Sequence, residues 1–179
     1  MWESPAVVLI SGIMAAGKST VAEGLARRLP RAVHLRGDVF RRMIVSGRAD
    51  MTAEPTDEAL RQLRLRYDLA ASAADRYASA GFTVVLQDVI LGPDLPAVVG
   101  RIRHRPLAVV VLAPRAEVVA ARERDRSKKG YGDWPVAELD AGFRTSTPRI
   151  GLWLDTSGQT PEETVTEILA RAWTDGQIG

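Results

Sequence analysis

The sequence predicts an α/β protein built on a parallel sheet, and three observations carry that expectation. Short apolar runs rich in β-branched residues recur along the chain, segments of helical periodicity separate them, and a glycine turn joins the first run to the first helix. Strands this short and continuously apolar are the kind that lie buried between helices.

The elements follow in order. Ala6 to Ser11 is the first strand, and the helix after it carries Val21, Leu25 and Leu29 on one side. Ala32 to Leu35 is the second strand, followed by a helix expected over Val39 to Ser46. Periodicity lapses from Gly47 to Pro55, read as a mobile excursion from the core. Thr56 to Ala80 resumes it with Leu60, Leu63, Tyr67, Ala71 and Ala74. Phe82 to Leu86 and Leu107 to Leu112 are the third and fourth strands. A helix bearing Arg122-Glu123-Arg124-Asp125-Arg126 follows, then a second lapse from Ser127 to Pro135. Ile150 to Leu154 is the fifth strand. The last helix has Thr160 as N-cap, Pro161 at its first position and Glu163 as capping-box partner, with Val165, Ile168, Leu169, Ala172 and Trp173 along one face.

With 179 residues, 46% of them hydrophobic and 26% charged, the chain suits one globular domain over 1–179. There is no cysteine, which excludes disulfides, thiolate metal sites and a cysteine nucleophile. No apolar run reaches the roughly 20 residues that span a bilayer, and Met1-Trp2-Glu3-Ser4-Pro5 lacks the basic region of a signal peptide, so the cytoplasm is the expected compartment and no membrane partner is expected. A net charge of +2 argues against a dedicated nucleic-acid coat. Basic residues are nearly all arginine; lysine occurs only at 18, 128 and 129.

Lys18 falls in the most informative string. Gly12-Ile13-Met14-Ala15-Ala16-Gly17-Lys18-Ser19 fits G-x-x-x-x-G-K-[ST], between the first strand and the first helix. The glycines let the backbone curl so that its N–H groups converge on phosphate oxygens, and the helix N-terminus adds its positive end. Lys18 is expected to reach the β- and γ-phosphates of ATP. The Ser19 hydroxyl is a candidate Mg²⁺ ligand, and Thr20 completes the nucleotide-binding run.

From these residues the sequence resembles the small P-loop kinases and phosphotransferases over nearly its whole length. Within them it looks most like the chloramphenicol phosphotransferases, on the phosphate loop, an Asp after the second strand, and Asp88-Val89-Ile90-Leu91-Gly92 after the third. Asp38-Val39-Phe40-Arg41 is also similar to the D-x-x-R element of polynucleotide kinases. The resemblance implies a three-layer α/β/α P-loop NTPase fold on a five-stranded parallel sheet, with a mobile lid at about 122–135 and acceptor-binding helices at about 39–81.

On the acceptor side, Asp38 follows the second strand, where strand ends open onto the binding crevice. It fits a base that takes the acceptor's hydroxyl proton, the role the resemblance implies, and it fits a helix N-cap. Arg41 is one turn on, expected on the same face as Asp38 to orient it or bind the acceptor, with Arg42 turned away into solvent. Asp88 stands where a Walker-B-like acid would hold Mg²⁺ through water, although Gln87 precedes it where the resembled phosphotransferases carry a second acid. The resemblance further implies that Arg122 and Arg126, four apart on one lid face, clamp adenine and phosphates and neutralise the transferred group, with Arg124 turned away. Gly130, Tyr131 and Trp134 complete that lid, and Thr156 and Ser157 would lie near the adenine.

The expected activity is therefore transfer of the γ-phosphoryl of ATP to a hydroxyl of a small acceptor such as an antibiotic, a sugar or a nucleoside. Two alternatives stand beside it. One is a polynucleotide 5′-hydroxyl kinase whose Arg41 and Arg61-Gln62-Leu63-Arg64-Leu65-Arg66 run hold backbone phosphates; the other is a non-catalytic ATP-binding switch.

Overall fold

The computed structural model describes Trp2, residues 5–125 and residues 135–179. Five parallel strands, β1 (Val7–Ser11), β2 (Ala32–Arg36), β3 (Thr83–Gln87), β4 (Leu107–Leu112) and β5 (Leu152–Leu154), lie in the order β2-β3-β1-β4-β5. β1 is central, with Val8 opposite Val85 on one side and Ala108 on the other. Every residue of β1, β3 and β4 is buried, because helices cover both faces of the sheet.

Helices α1 (Lys18–Arg27) and α7 (Pro161–Asp175) pack together as one layer. On the other side α3 (Asp57–Ser79) packs on β3 and against α4 (Asp94–Arg101). The anticipated capping box of α7 is present, Thr160 and Glu163 bonding reciprocally, and α3 has a cap the sequence reading did not single out, the Thr56 side chain accepting from the Ala59 N–H at 3.1 Å. α5 (Ala116–Asp125) and α6 (Val136–Ser146) follow β4 and pack on each other.

Two elements depart from expectation. A sixth strand, β6 (Gln177–Ile178), closes the chain antiparallel to the start of β4, pairing Ile178 with Leu107; two residues are too short to carry a sequence signal. The helix anticipated over 39–46 is only α2 (Asp38–Arg42). β-branched Ile44 and Val45 and then Gly47, at φ +74°, do not sustain it. Residues 47–55 contain no regular element, as their composition suggested.

All five parallel strands point their carboxyl ends to one rim. The phosphate loop, Asp38, Asp88, Pro114 and Thr156 each follow a different strand, so residues scattered through the sequence meet there.

Candidate phosphoryl-transfer site

The phosphate loop is shaped by three residues of positive φ, Gly12 (+145°), Ala15 (+60°) and Gly17 (+96°), a backbone that makes anion-binding concavities. Gly12 is obligatory on space as well: a Cβ there would sit 2.5 Å from the Leu112 carbonyl oxygen of β4. Lys18 folds back over the loop, its Nζ donating to the Ile13 carbonyl at 2.7 Å, and is only 8% exposed. Ser19 and Thr20 lie exposed in the first turn of α1.

α5 reaches this loop through Arg122. Its Nη1 donates to the Ala16 carbonyl at 3.4 Å and its Nη2 to the Thr156 carbonyl at 3.2 Å, so one guanidinium spans the phosphate loop and the turn after β5. Arg124 is exposed, in keeping with the facing expected from helical spacing. Arg126 and the segment Ser127–Trp134, with the expected glycine hinges and aromatics of the lid, lie outside the described residues. The Thr156 hydroxyl oxygen is buried with no hydrogen-bond partner. Asp155 accepts from the backbone N–H of Ser157 at 3.0 Å and from its hydroxyl, which holds the Asp155 carboxyl below its usual range. The Ser157 hydroxyl in turn accepts from the Arg115 N–H at 2.7 Å, locking the turns after β4 and β5 together.

Asp38 opens α2 but does not cap it: Gly37 occupies the N-cap, and no side chain makes a capping bond. Asp38 Oδ1 is buried and accepts no hydrogen bond among the described residues, with Arg36 Nε beyond hydrogen-bond reach at 3.6 Å, and Oδ2 pairs with Arg42 Nη2 at 3.2 Å. The two arginines exchange their expected places. Arg42 turns to Asp38, whereas Arg41 pairs with Asp50 through Nε at 3.1 Å and Nη2 at 2.6 Å. The i,i+4 residue of so short a helix reaches Asp38 as readily as i,i+3 does, and the 47–55 loop supplies a competing acid for Arg41.

Asp88 is almost completely enclosed. Its Oδ1 accepts from the Val89 N–H at 2.7 Å and pairs with Arg66 Nη2, and its Oδ2 accepts from Arg66 Nε at 2.7 Å. A Cβ on Gly37 would lie 2.0 Å from Oδ2, so the turn after β2 is pressed onto this carboxylate. Its donors and its enclosure do not fit a metal ligand. Ser19, exposed at the mouth of the phosphate loop, does fit one. No group of three or more His, Cys, Asp or Glu suited to a metal occurs among the described residues.

Arg66 has no place in the small-acceptor site expected from the sequence. Its signal lay in the helix pattern: it falls within the inward stripe of buried Ala59, Tyr67, Ala70, Ala71 and Ala74 and half-buried Leu63, where an arginine requires an acid. Burial pulls the guanidinium below its ordinary pKa. Of the Arg61–Arg66 run, Arg61 lies exposed beside Glu58 on the helix surface, whereas Arg66 is turned inward onto Asp88, so the two do not share one face for nucleic-acid phosphates.

The family model of an AAA domain, AAA_33, matches residues 7–148, from β1 to the end of α6. The chain belongs to the AAA_33 family. This AAA_33 chain is also 32% identical over 136 residues to a UPF0200 protein of Aeropyrum pernix, a match covering 74% of this chain and 71% of that protein. Among solved structures it is similar to a sugar kinase from Janibacter sp. HTCC2649, with a TM-score of 0.68 and 22% identity over 92% of each chain. It is likewise similar to the Mycobacterium tuberculosis APS kinase CysC in complex with AMPPNP and APS, with a TM-score of 0.69 and 17% identity over 93% of this chain and 96% of that one. The fold is that of the P-loop kinases, a three-layer α/β/α arrangement around a parallel sheet. No helix among the described residues is long and apolar enough to cross a membrane.

Proposed function

We propose that this AAA_33 chain, as one kinase domain over its whole length, transfers the γ-phosphoryl group of ATP to a hydroxyl of a small-molecule acceptor. The observation that carries the reading is the buried Oδ1 of Asp38, which accepts no hydrogen bond among the described residues and has only the Arg36 guanidinium near it at 3.6 Å, on the same rim as a complete phosphate loop. A protein that bound ATP only to change shape would have no use for that oxygen, whose burial without a donor is costly. A phosphotransferase needs an acceptor for the hydroxyl proton.

The loop backbone and Lys18 would hold the β- and γ-phosphates, and Arg122, already spanning loop and adenine side, would neutralise charge on the transferred group. Arg126, four residues further along the sequence, would act with it. Mg²⁺ would be held by the Ser19 hydroxyl and would screen the phosphate charge. Asp38 would take the hydroxyl proton, with Arg42 fixing its other oxygen. Thr156 would contact the adenine end. The resemblance of the sequence motifs to chloramphenicol phosphotransferases and the sugar kinase and APS kinase among the similar structures support a small organic acceptor, and dependence on ATP supports a cytoplasmic location.

The test is a panel of hydroxyl compounds with labelled ATP, run on wild type and Asp38→Asn. Transfer that Asp38→Asn lowers about 10²-fold or more, at unchanged melting temperature, is expected for a general base. An equally active Asp38→Asn protein refutes the base assignment, and ATP binding without transfer to any acceptor refutes the reaction.

A further inference from the structure

Asp88 and Arg66 form a joint that the phosphate loop does not require. The carboxylate is 2% exposed and the guanidinium side chain 13%, and they meet through Nε and Nη2 on the two carboxylate oxygens. This bidentate geometry fixes the plane of the guanidinium. The remaining nitrogen, Nη1, makes no hydrogen bond to the described residues, and Arg66 lines a cleft with Arg41, Met51, Gln62 and Leu63. The cleft holds about 20 Å³, the room of one water, and lies beneath the 47–55 loop. Its second arginine, Arg41, is engaged among the described residues by Asp50, whose carboxylate Arg48 Nε also approaches at 3.4 Å, and both members of the Arg41–Asp50 pair are substantially exposed. Exposed pairs of this kind are weak and exchange readily. Two guanidiniums therefore face one small cleft with apolar walls, one clamped from behind and the other held by a displaceable carboxylate.

We propose that Asp88 is a positioning residue that sets Arg66 as the anchor for an anionic group on the acceptor. That group, a carboxylate, phosphate or sulfate, would bridge Arg66 and Arg41 and release Asp50, while Met51 and Leu63 cover the carbon skeleton beside it. The proposal rests on the phosphotransferase reading, and it explains why a buried acid at the end of β3 spends both oxygens on one arginine instead of standing open to Mg²⁺.

The experiment uses acceptor pairs that differ by one anionic group: gluconate and glucose, glycerate and glycerol, a nucleoside monophosphate and its nucleoside. Labelled ATP reports transfer. The anionic member should be favoured at least about tenfold in kcat/KM; Arg66→Gln should abolish that preference and Arg66→Lys restore part of it. Asp88→Asn should raise the acceptor KM about tenfold with little change in kcat, and should leave the Mg²⁺ dependence of AMPPNP binding unchanged. If Asp88→Asn does not fold, Asp88→Glu keeps the charge, displaces the guanidinium and should give the same split. A preference for neutral acceptors overturns the proposal and leaves the phosphotransferase reading standing, and a raised Mg²⁺ requirement in the Asp88 variants overturns it by making Asp88 a metal ligand. If no acceptor is phosphorylated, the phosphotransferase reading fails, and the anion site is decided separately. With Mg²⁺ and AMPPNP saturating the phosphate loop, sulfate titrated in a calorimeter should bind wild type and not Arg66→Gln. Equal binding to both, or binding to neither, overturns the site.

Discussion

Gly37→Ala isolates the contact between the turn after β2 and the carboxylate at the end of β3. Gly37 lies at φ −60° and ψ −33°, a conformation any residue adopts, so the substitution brings no backbone strain. The added Cβ would lie 2.0 Å from Asp88 Oδ2, 2.6 Å from Cγ and 3.0 Å from Cβ. The carboxylate must swing away, and it then loses Arg66 and the Val89 N–H together. Breaking a buried ion pair while one partner stays buried costs about 3–5 kcal/mol, and a glycine-to-alanine change returns about 0.5 kcal/mol through the unfolded chain. The net loss is about 2.5–4.5 kcal/mol, which for a chain of 179 residues lowers Tm by about 5–18 °C. Calorimetry and urea unfolding followed by circular dichroism measure it. In an Asp88→Ala background there is no carboxylate to displace, and Gly37→Ala should then cost less than about 0.5 kcal/mol. A Gly37→Ala protein melting within about 2 °C of wild type, or losing as much in the Asp88→Ala background, would refute the enclosed-pair geometry.

Lys18→Ala should cut phosphoryl transfer by about 10³-fold or more while shifting Tm by only a few degrees, since the side chain donates back to its own loop at Ile13; wild-type-like turnover in the folded variant would remove the loop from the mechanism. Arg122→Ala should lower kcat/KM for ATP about 10²-fold, and Arg124→Ala should stay within about twofold; steady-state kinetics showing the reverse would break the register of α5. Tyr67→Phe, which removes a phenol donating to the Val89 carbonyl at 3.0 Å, should cost about 1 kcal/mol at neutral pH. Burial raises the Tyr67 pKa above its ordinary 10.0, so its neutral-form contribution is whole below about pH 10 and is lost as pH rises beyond; urea unfolding should show wild type converging on Tyr67→Phe above pH 10, and parallel curves would contradict it.

The order of elements was legible because each carries its own local signal. β1, β3 and β4 read as unbroken apolar runs since both their faces are covered, and α7 announced itself through Thr160, Pro161 and Glu163 before any tertiary contact was considered. What local pattern could not supply was extent. β5 begins two residues later than its apolar run, at Leu152, because Gly151 takes φ +75° against the β4 backbone, where a Cβ would lie 2.4 Å from the Val109 carbonyl oxygen. β6 exists only because the end of α7 returns Gln177 and Ile178 to an unfilled stretch of β4.

The site divides in the same way. The phosphate loop could be read from its string, because its function lies in a backbone curl that Gly12 and Gly17 permit, while for Arg122 spacing supplied only the facing relative to Arg124 and the family resemblance supplied the place. The acceptor side could not, because its partners are set by which acid each arginine meets. Helical spacing alone leaves Arg41 and Arg42 nearly equivalent above Asp38; Asp50, from a loop without periodicity, draws Arg41 away and leaves Arg42 to hold the carboxylate. Arg66 obeys a stronger constraint. A cation within the apolar stripe of α3 must find an acid of matching depth, and Asp88 at the end of buried β3, where α3 packs, meets it. Had Asp88 been free to serve a metal, Arg66 would have been left buried without a counter-charge, so the position of one arginine in a helix pattern restricts the role of an acid 22 residues away.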